Sequence, residues 1–290
     1  MEHYTIRDVE NVTGIKAHTL RIWEQRYNIL QPKRKDNLHR IYDIEDLKHL
    51  LRIAYLYHNG WKISKIDALE KDEILKYIRE ANSLESNYES YANRLLEAAI
   101  DFNEPEFKTV LNIVIDRIGF EKCISELCYP FLQKIRLLWP SNNVIPSRQY
   151  FSRYIIQNRI ILETDKLGLN SFGPQIVLLC PNEEFHALPM LFINYLFRKK
   201  DWNTIYIGSG LKLEEIRKAS FIPDIKSIYI HLITKLIGFE PDEYFAELCR
   251  SFPDKRIIVS GEGIKGMQRS LTNLQLLKTD KEIYDFIAGE

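Results

Sequence analysis

The sequence has little of what several common protein classes require. Its 290 residues carry no net formal charge, because 40 Lys and Arg are matched by 40 Asp and Glu. A chain-wide polyelectrolyte is therefore excluded, and any site for nucleic acid must arise from local charge asymmetry. The four cysteines form no Cys-x-x-Cys pair, the amino terminus shows no signal-peptide pattern, and every apolar run is far shorter than the roughly 20 residues of a membrane span. We expect a cytoplasmic protein with reduced thiols and no membrane partner.

The pattern of apolar residues predicts three domains. Residues 1–72 contain short amphipathic helices separated by a basic turn, and residues 73–170 are almost wholly helical, which predicts a four-helix bundle. Residues 171–290 alternate β-branched runs with helical stretches, which predicts a parallel, doubly wound sheet of flavodoxin-like (Rossmann-like) type. The predicted fold class is multidomain, α and α/β, with a winged helix-turn-helix, a helical bundle and a sheet domain in that order.

Positive charge is concentrated on one short part of the first domain. Between residues 14 and 42, seven cationic side chains stand against two acidic ones, which leaves a local net charge of +5. Such a segment is typical of a surface that binds phosphates. Charge alone leaves open the alternative that these side chains are merely solvated, as surface Lys and Arg often are.

The order of elements in this segment favours a DNA reader. Thr5 is a helix cap, Gly14 suits a tight turn, and the next helix places His18, Arg21 and Gln25 on one outward face. A helix, a tight turn and a second helix with donors on its outer face make a helix-turn-helix, whose second helix enters the major groove. The basic turn after it predicts a small hairpin, or wing, that reaches adjacent phosphates.

These segments closely resemble the winged helix-turn-helix of the MerR family of bacterial transcription regulators. The matching segments are HTLRIWEQRY in the recognition helix, KRK in the wing and HRIY before the third helix. The resemblance implies that the protein binds double-stranded promoter DNA as a homodimer or higher homo-oligomer, and it leaves RNA polymerase open as a further partner. The residues expected at or near the DNA are Lys16, His18, Thr19, Arg21, Gln25, Arg26, Lys33, Arg34, Lys35, Arg40 and Tyr42.

The remainder of the chain resembles the corrinoid-binding modules of the cobalamin-dependent photoreceptor regulators. The segment EFHALP falls where those modules carry the histidine that ligates cobalt, and the spacing after it brings two further segments to the places that line the slot for the cofactor's nucleotide tail. The resemblance implies cobalamin as a cofactor, with His186 as the cobalt ligand and Glu184 as its hydrogen-bond partner. A loop histidine without a ligand is the alternative for His186. The other implied cofactor residues are Trp139, His231, Ser260 and Gly261.

The chain departs from that motif at several positions. Pro189, His231 and Ser260 stand where the motif has Gly, Ser and Gly, and Gln149 and Tyr150 stand where the photoreceptor motif has Glu and the upper histidine. Two hypotheses therefore remain for the second half: a sensor that controls oligomeric state through a corrinoid, and a degenerate module that binds no cobalamin and serves for dimerisation or protein docking. A corrinoid carrier or enzyme subunit is a third hypothesis. The sequence shows no catalytic constellation, so we expect no enzyme activity.

Overall fold

The chain forms two compact units, residues 1–156 and 157–290. The winged head and most of the bundle share the first unit, and the division falls inside a helix. The domain boundaries predicted at residues 72 and 170 stay predictions. The computed structural model describes residues 3–27, 29, 32–34, 40–80, 88–137, 147–181, 187–211, 213–218, 225–232, 241–267 and 271–289.

The head begins with two helices joined by a tight turn, α1 (Ile6–Thr13) and α2 (Ala17–Arg26). Thr5 caps α1, and Asp8 completes a capping box by accepting from the Thr5 backbone N–H. Gly14 ends α1 at a φ of 71°, a left-handed conformation that favours glycine. The sequence therefore sets both the start of α1 and the turn that leads into α2.

The wing and the third helix follow. β1 (Lys33–Arg34) and β2 (Arg40–Ile41) pair antiparallel, and Asp43 then caps α3 (Ile44–His58) by accepting from two backbone N–H groups of its first turn. The head is completed by α4 (Ile63–Asp67) and α5 (Lys71–Glu80). These elements confirm the predicted winged helix-turn-helix.

Helix α3 carries apolar side chains on two sides, and both sides are buried. Its fully buried side chains are Leu47, Leu50, Leu51, Ile53, Ala54, Tyr55 and Leu56. One side packs on α1, and another side packs on α6, the first helix of the bundle. A helix that lies between two layers buries apolar residues on more than one narrow stripe. Tyr57 remains 39% exposed and contacts the ring of Trp23 edge-on, with centroids 5.0 Å apart.

The bundle confirms the helical domain predicted from the sequence. Its helices are α6 (Tyr88–Ile100), α7 (Glu104–Ile118), a third rod made of α8 (Phe120–Lys122), a π-helical turn (Cys123–Cys128) and α9 (Tyr129–Leu137), and finally α10 (Ser147–Lys166). Asn103 caps α7 by accepting from the backbone N–H of Glu106. In the first unit, the buried ring of Phe107 contacts Phe131 and Phe151 edge-on, at centroid distances of 5.6 and 6.2 Å.

The second unit contains a five-stranded parallel sheet. Its strands are β3 (Gln175–Pro181), β4 (Asn203–Leu211), β5 (Ser227–His231), β6 (Arg256–Ser260) and β7 (Leu274–Leu277), and their spatial order is β4-β3-β5-β6-β7. Its helices are α11 (Ala187–Lys199), α12 (Leu213–Lys218), α13 (Pro241–Ser251) and α14 (Asp280–Ala288). This is the strand order of a flavodoxin-like fold, as predicted. The chain order reverses between β3 and β5, and ligands of such sheets bind at the carboxyl ends of the strands beside that point.

Two further observations concern the described part of the chain. No helix there is both long and apolar enough to cross a membrane. The four cysteines are buried and form no disulfide with one another.

Candidate functional site

The outward face of α2 carries the polar side chains that the sequence singled out for base contacts. His18, Arg21 and Gln25 are all exposed, whereas Leu20 and Trp23 on the opposite side are buried in the head core. Positions separated by three and four residues lie on one side of a helix, so the three exposed groups share a single face. The structure thus brings together the predicted base-reading residues.

Further cations of the predicted set surround this face. Lys16 precedes α2, Arg26 ends it, and both are exposed, whereas Thr19 is half-buried. Lys33 on β1 is exposed as well. Arg34 pairs with Arg40 in the wing ribbon. Lys35 and the side chain of Arg34 lie outside the described residues.

Acidic partners distinguish these cations from one another. Lys16 Nζ lies 3.2 Å from a Glu10 carboxylate oxygen, and Lys33 Nζ lies 3.0 Å from Asp43. The backbone N–H of Ala17, followed by Lys16, lowers the pKa of Glu10, and the bond to Asp43 raises the pKa of Lys33. Neither Arg21 nor Arg26 has an ion-pair partner among the residues described. Their charges are therefore not neutralised by an ion pair within the part of the head that the structure describes.

Two residues expected at or near the DNA, Arg40 and Tyr42, have partners within the head. Arg40 donates from its guanidinium Nε to the carboxylate of Glu24 on α2, and this bond raises the pKa of Arg40. Tyr42 is 1% exposed, and its backbone pairs with Tyr4 through hydrogen bonds of 2.8 and 2.9 Å. Burial raises the pKa of Tyr42 to about 12. Tyr42 was expected at or near the DNA; its side chain is buried in the head core, and its contribution to DNA binding stays a prediction.

Sequence reasoning missed Glu24 as the anchor of the wing. A carboxylate within a strongly cationic segment was the available signal, because an acid there is costly at a DNA surface unless it has a partner. The same signal applies to Asp43, which combines a helix cap with an ion pair to Lys33.

The second candidate site is the carboxyl edge of the sheet, where β5 and β6 end side by side. His231 is opposite Ser260 in the register, and His231 Nδ1 lies 2.8 Å from Ser260 Oγ. The Tyr229 hydroxyl lies 2.6 Å from the same Oγ, and burial raises the pKa of Tyr229 well above its usual value. Tyr229, Ser260 and His231 therefore form a chain of hydrogen bonds between the two strands.

The backbone closes the same edge. Leu232 donates to the Ser260 carbonyl at 2.9 Å and accepts from Gly263 at 2.8 Å. Gly261 has a φ of 98°, and a Cβ at this position would lie 2.3 Å from the Leu232 carbonyl oxygen. Glycine is thus required here by the contact between the two strand ends.

These residues do not fit a nucleotide tail inserted between the ends of β5 and β6. The polar side chains of Tyr229, Ser260 and His231 already occupy the space between them and satisfy one another. Beneath them, Tyr229 packs edge-on against Phe197, with ring centroids 5.3 Å apart. The other implied cofactor residues Glu184, His186 and Trp139 lie outside the described residues. Sequence reasoning missed Tyr229, although strand alternation places it on the same face as His231.

Comparison with known proteins identifies the head directly. Residues 4–73 match the model of the MerR HTH family regulatory proteins. The chain is 23% identical over 279 residues to the HTH-type transcriptional repressor CarA of Myxococcus xanthus, which covers 93% of this chain and 90% of CarA. It is also 23% identical over 229 residues to the repressor CarH of the same organism, which covers 74% of each chain.

A solved structure shares the fold of the remainder. The monomethylamine corrinoid protein of Methanosarcina barkeri superposes with a TM-score of 0.53 at 10% identity, which covers 70% of this chain and 99% of that protein. At that identity the likeness concerns the fold alone. The chain therefore carries a MerR-type helix-turn-helix domain, is homologous along most of its length to transcriptional repressors, and has the fold of a corrinoid-binding protein in its remainder.

Proposed function

We propose that the protein is a bacterial transcription regulator that reads promoter DNA with α2 and grips the flanking phosphates with the wing. The exposed polar face formed by His18, Arg21 and Gln25, in a segment that matches a DNA-binding family, is the observation that carries this proposal. These three positions extend over about 10 Å of helix, which is the length of about three base pairs.

Each side chain has a task that suits its chemistry. Arg21 and Gln25 can donate to base edges, Arg21 to guanine and Gln25 to adenine. Arg26 and Lys33 supply charge to phosphates, which adds affinity without sequence preference. Lys33 must exchange Asp43 for a phosphate when it does so, which reduces its net contribution.

We further propose that the bundle and the sheet domain hold two heads for half-sites about one helical turn, or 34 Å, apart. The relatives that align over most of the chain are repressors by name. A near-palindromic operator has two-fold symmetry, and a homodimer matches that symmetry by placing one head on each half-site. Catalytic activity forms no part of this proposal, since the relatives are transcription regulators.

A mobility-shift titration tests the proposal. The full chain at low ionic strength should retard promoter fragments from beside its own gene, and the double variant Arg21→Ala, Arg26→Ala should lose that complex. Lys265→Ala is the matched control, because it removes an exposed cation of the second unit. Absence of any complex with the parent chain would overturn the proposal.

A further inference from the structure

The head is joined to the bundle by polar contacts as well as by apolar packing. Lys48 Nζ on α3 lies 2.9 Å from Asp101 Oδ1, just beyond α6. Arg52, one turn further along α3, donates to Glu97 on α6 from Nε at 2.9 Å. The Lys48 and Arg52 side chains are only 12% and 18% exposed. Paired charges that are largely withdrawn from water fix an orientation, because moving one partner leaves the other unpaired.

A third contact lies at the end of α3. Asn59 donates from Nδ2 to Ser90 Oγ on α6 at 2.9 Å, and Ser90 is fully buried. The two ion pairs and this hydrogen bond are distributed along α3, from Lys48 near its start to Asn59 just after its end. Two helices in purely apolar contact can shift along each other, whereas three hydrogen-bonded pairs fix the position of α3 relative to α6.

The bundle also reaches the turn of the helix-turn-helix itself. A Cβ at Gly14 would lie 2.6 Å from Glu89 Oε1 and 3.5 Å from His58 Nε2. His58 Nε2 lies 2.7 Å from the Thr13 carbonyl, which only accepts, so this nitrogen carries the proton. Lys134 Nζ on α9 lies 3.6 Å from the same Glu89 oxygen. The turn that sets the angle between α1 and α2 is therefore enclosed by the end of α3 and the start of α6.

We infer that Arg52, Glu97 and Glu89 are positioning residues for DNA recognition, which clamp the head to the bundle in one fixed orientation through α3 and the Gly14 turn. This inference rests on the proposed function, in which two heads occupy two half-sites. A clamped pair of heads presents the second head to its half-site at high effective concentration, and a released pair loses that advantage. A single head on a single half-site gains nothing from the clamp.

Charge reversal across the interface tests the inference with the full-length chain. The operator is first located by footprinting on the promoter fragment, and affinities are then measured for duplexes with one half-site and with two. Arg52→Glu faces Glu97 with like charge and should release the head. We expect affinity for two half-sites to fall by about tenfold or more, while affinity for one half-site stays within about twofold. The swap Arg52→Glu, Glu97→Arg should restore the parent ratio.

Lys108→Glu is the matched control. It reverses one member of the exposed Lys108–Glu104 pair on α7, and it should leave both affinities unchanged. Equal affinities of Arg52→Glu and the parent chain for both duplexes would overturn the inference. So would equal losses on both duplexes, because they indicate a role in stability alone. Failure of the parent chain to bind either duplex would instead contradict the proposed function.

The contact at the turn offers a second, milder test. Gly14→Ala should lower the urea midpoint for two reasons, the left-handed backbone and the clash with Glu89. Adding Glu89→Ala removes the clash and also the ion pair with the largely buried Lys134, so Glu89→Ala is measured alone as well. The double variant should lose less midpoint and less two-half-site affinity than the sum of the two single variants. Strictly additive effects of the two substitutions would show that the bundle does not touch the turn, and would overturn the inference.

Discussion

The guanidinium of Arg40 on the second wing strand is hydrogen-bonded to the carboxylate of Glu24 on the recognition helix. The two side chains are 24% and 14% exposed, so the pair is largely withdrawn from water. It joins the wing to α2 across the head, and it fixes how far the wing stands from any DNA that α2 enters. We therefore expect Arg40 to affect DNA binding through the placement of Lys33, the residue opposite the neighbouring Ile41 in the ribbon.

We predict that Arg40→Ala and Glu24→Ala weaken DNA binding alike. Each removes one partner of the same pair, so each should cost about 1 kcal/mol of operator affinity, and the double variant should cost little more than either alone. Fluorescence anisotropy with labelled operator measures all three. An increase in affinity for Glu24→Ala would contradict the prediction, because it would show that Arg40, once released, contacts phosphate.

Substitution of Arg21 and substitution of Lys33 should affect DNA binding in different ways. Arg21→Ala should cost about 1–3 kcal/mol at the operator and relax the preference at one base pair, while Lys33→Ala should weaken all sequences alike and lower the salt slope by about 1. Titrations of operator and mutated operators over a series of salt concentrations separate the two effects. Equal losses on specific and random DNA for Arg21→Ala would exclude it as a base reader.

Substitutions of Tyr42 test whether its side chain stabilises the head core or contacts DNA. Since the ring is enclosed in the core, Tyr42→Phe should leave operator affinity within about twofold, whereas Tyr42→Ala should lower the free energy of unfolding by about 3–5 kcal/mol. Urea denaturation and anisotropy measure the two quantities. A loss of affinity for Tyr42→Phe at unchanged stability would mean that the hydroxyl reaches the DNA.

Local signals predicted most of the elements. Thr5 and Asp8 predict a capping box, and the structure contains it. Its two hydrogen bonds connect residues only three positions apart, so the signal is local in sequence. The run SIYIH predicted a buried strand, and β5 occupies those residues, because β-branched and aromatic side chains without polar alternation need cover on both faces. Such patterns depend on neighbours in sequence, and they can be read from one chain.

Long-range partners could not be predicted in the same way. Arg40 carries the charge expected of a phosphate contact. Nothing nearby in sequence shows that its guanidinium is hydrogen-bonded to Glu24, sixteen residues earlier. The pairing of Arg52 with Glu97 spans 45 residues. The apolar residues on two sides of α3 were a readable signal that a second layer covers it, but the identity of that layer depends on tertiary packing.

His49 on α3 should make stability depend on pH. Burial, followed by the charges of Lys71 and Arg52, lowers its pKa below the usual 6.5, so the folded state holds it neutral. As the pH falls through 6.5, the unfolded chain binds this proton before the folded chain does, and the free energy of unfolding falls. Urea denaturation between about pH 7.5 and 5 measures the slope, over a range in which most carboxyl groups stay ionised.

The control is His49→Gln, which keeps a polar side chain but cannot titrate. Its free energy of unfolding should depend less on pH than that of the parent chain in the same range, because all other groups are shared. Two parallel curves would show that His49 takes up its proton equally in both states, contrary to the prediction.

The closed edge of the sheet makes a prediction about corrinoids. His231 is bonded to Ser260 at the place where a nucleotide tail would enter, so any tail must first break that bond and displace the imidazole. His231→Ser shortens the side chain and opens the space, and it should bind adenosylcobalamin more tightly than the parent chain does, as measured by the visible absorbance retained after gel filtration in darkness. Ser251→Ala, at the end of α13, is a control substitution away from this edge. Weaker binding by His231→Ser would mean that the imidazole contacts the corrinoid, and that the side chains rearrange to admit it.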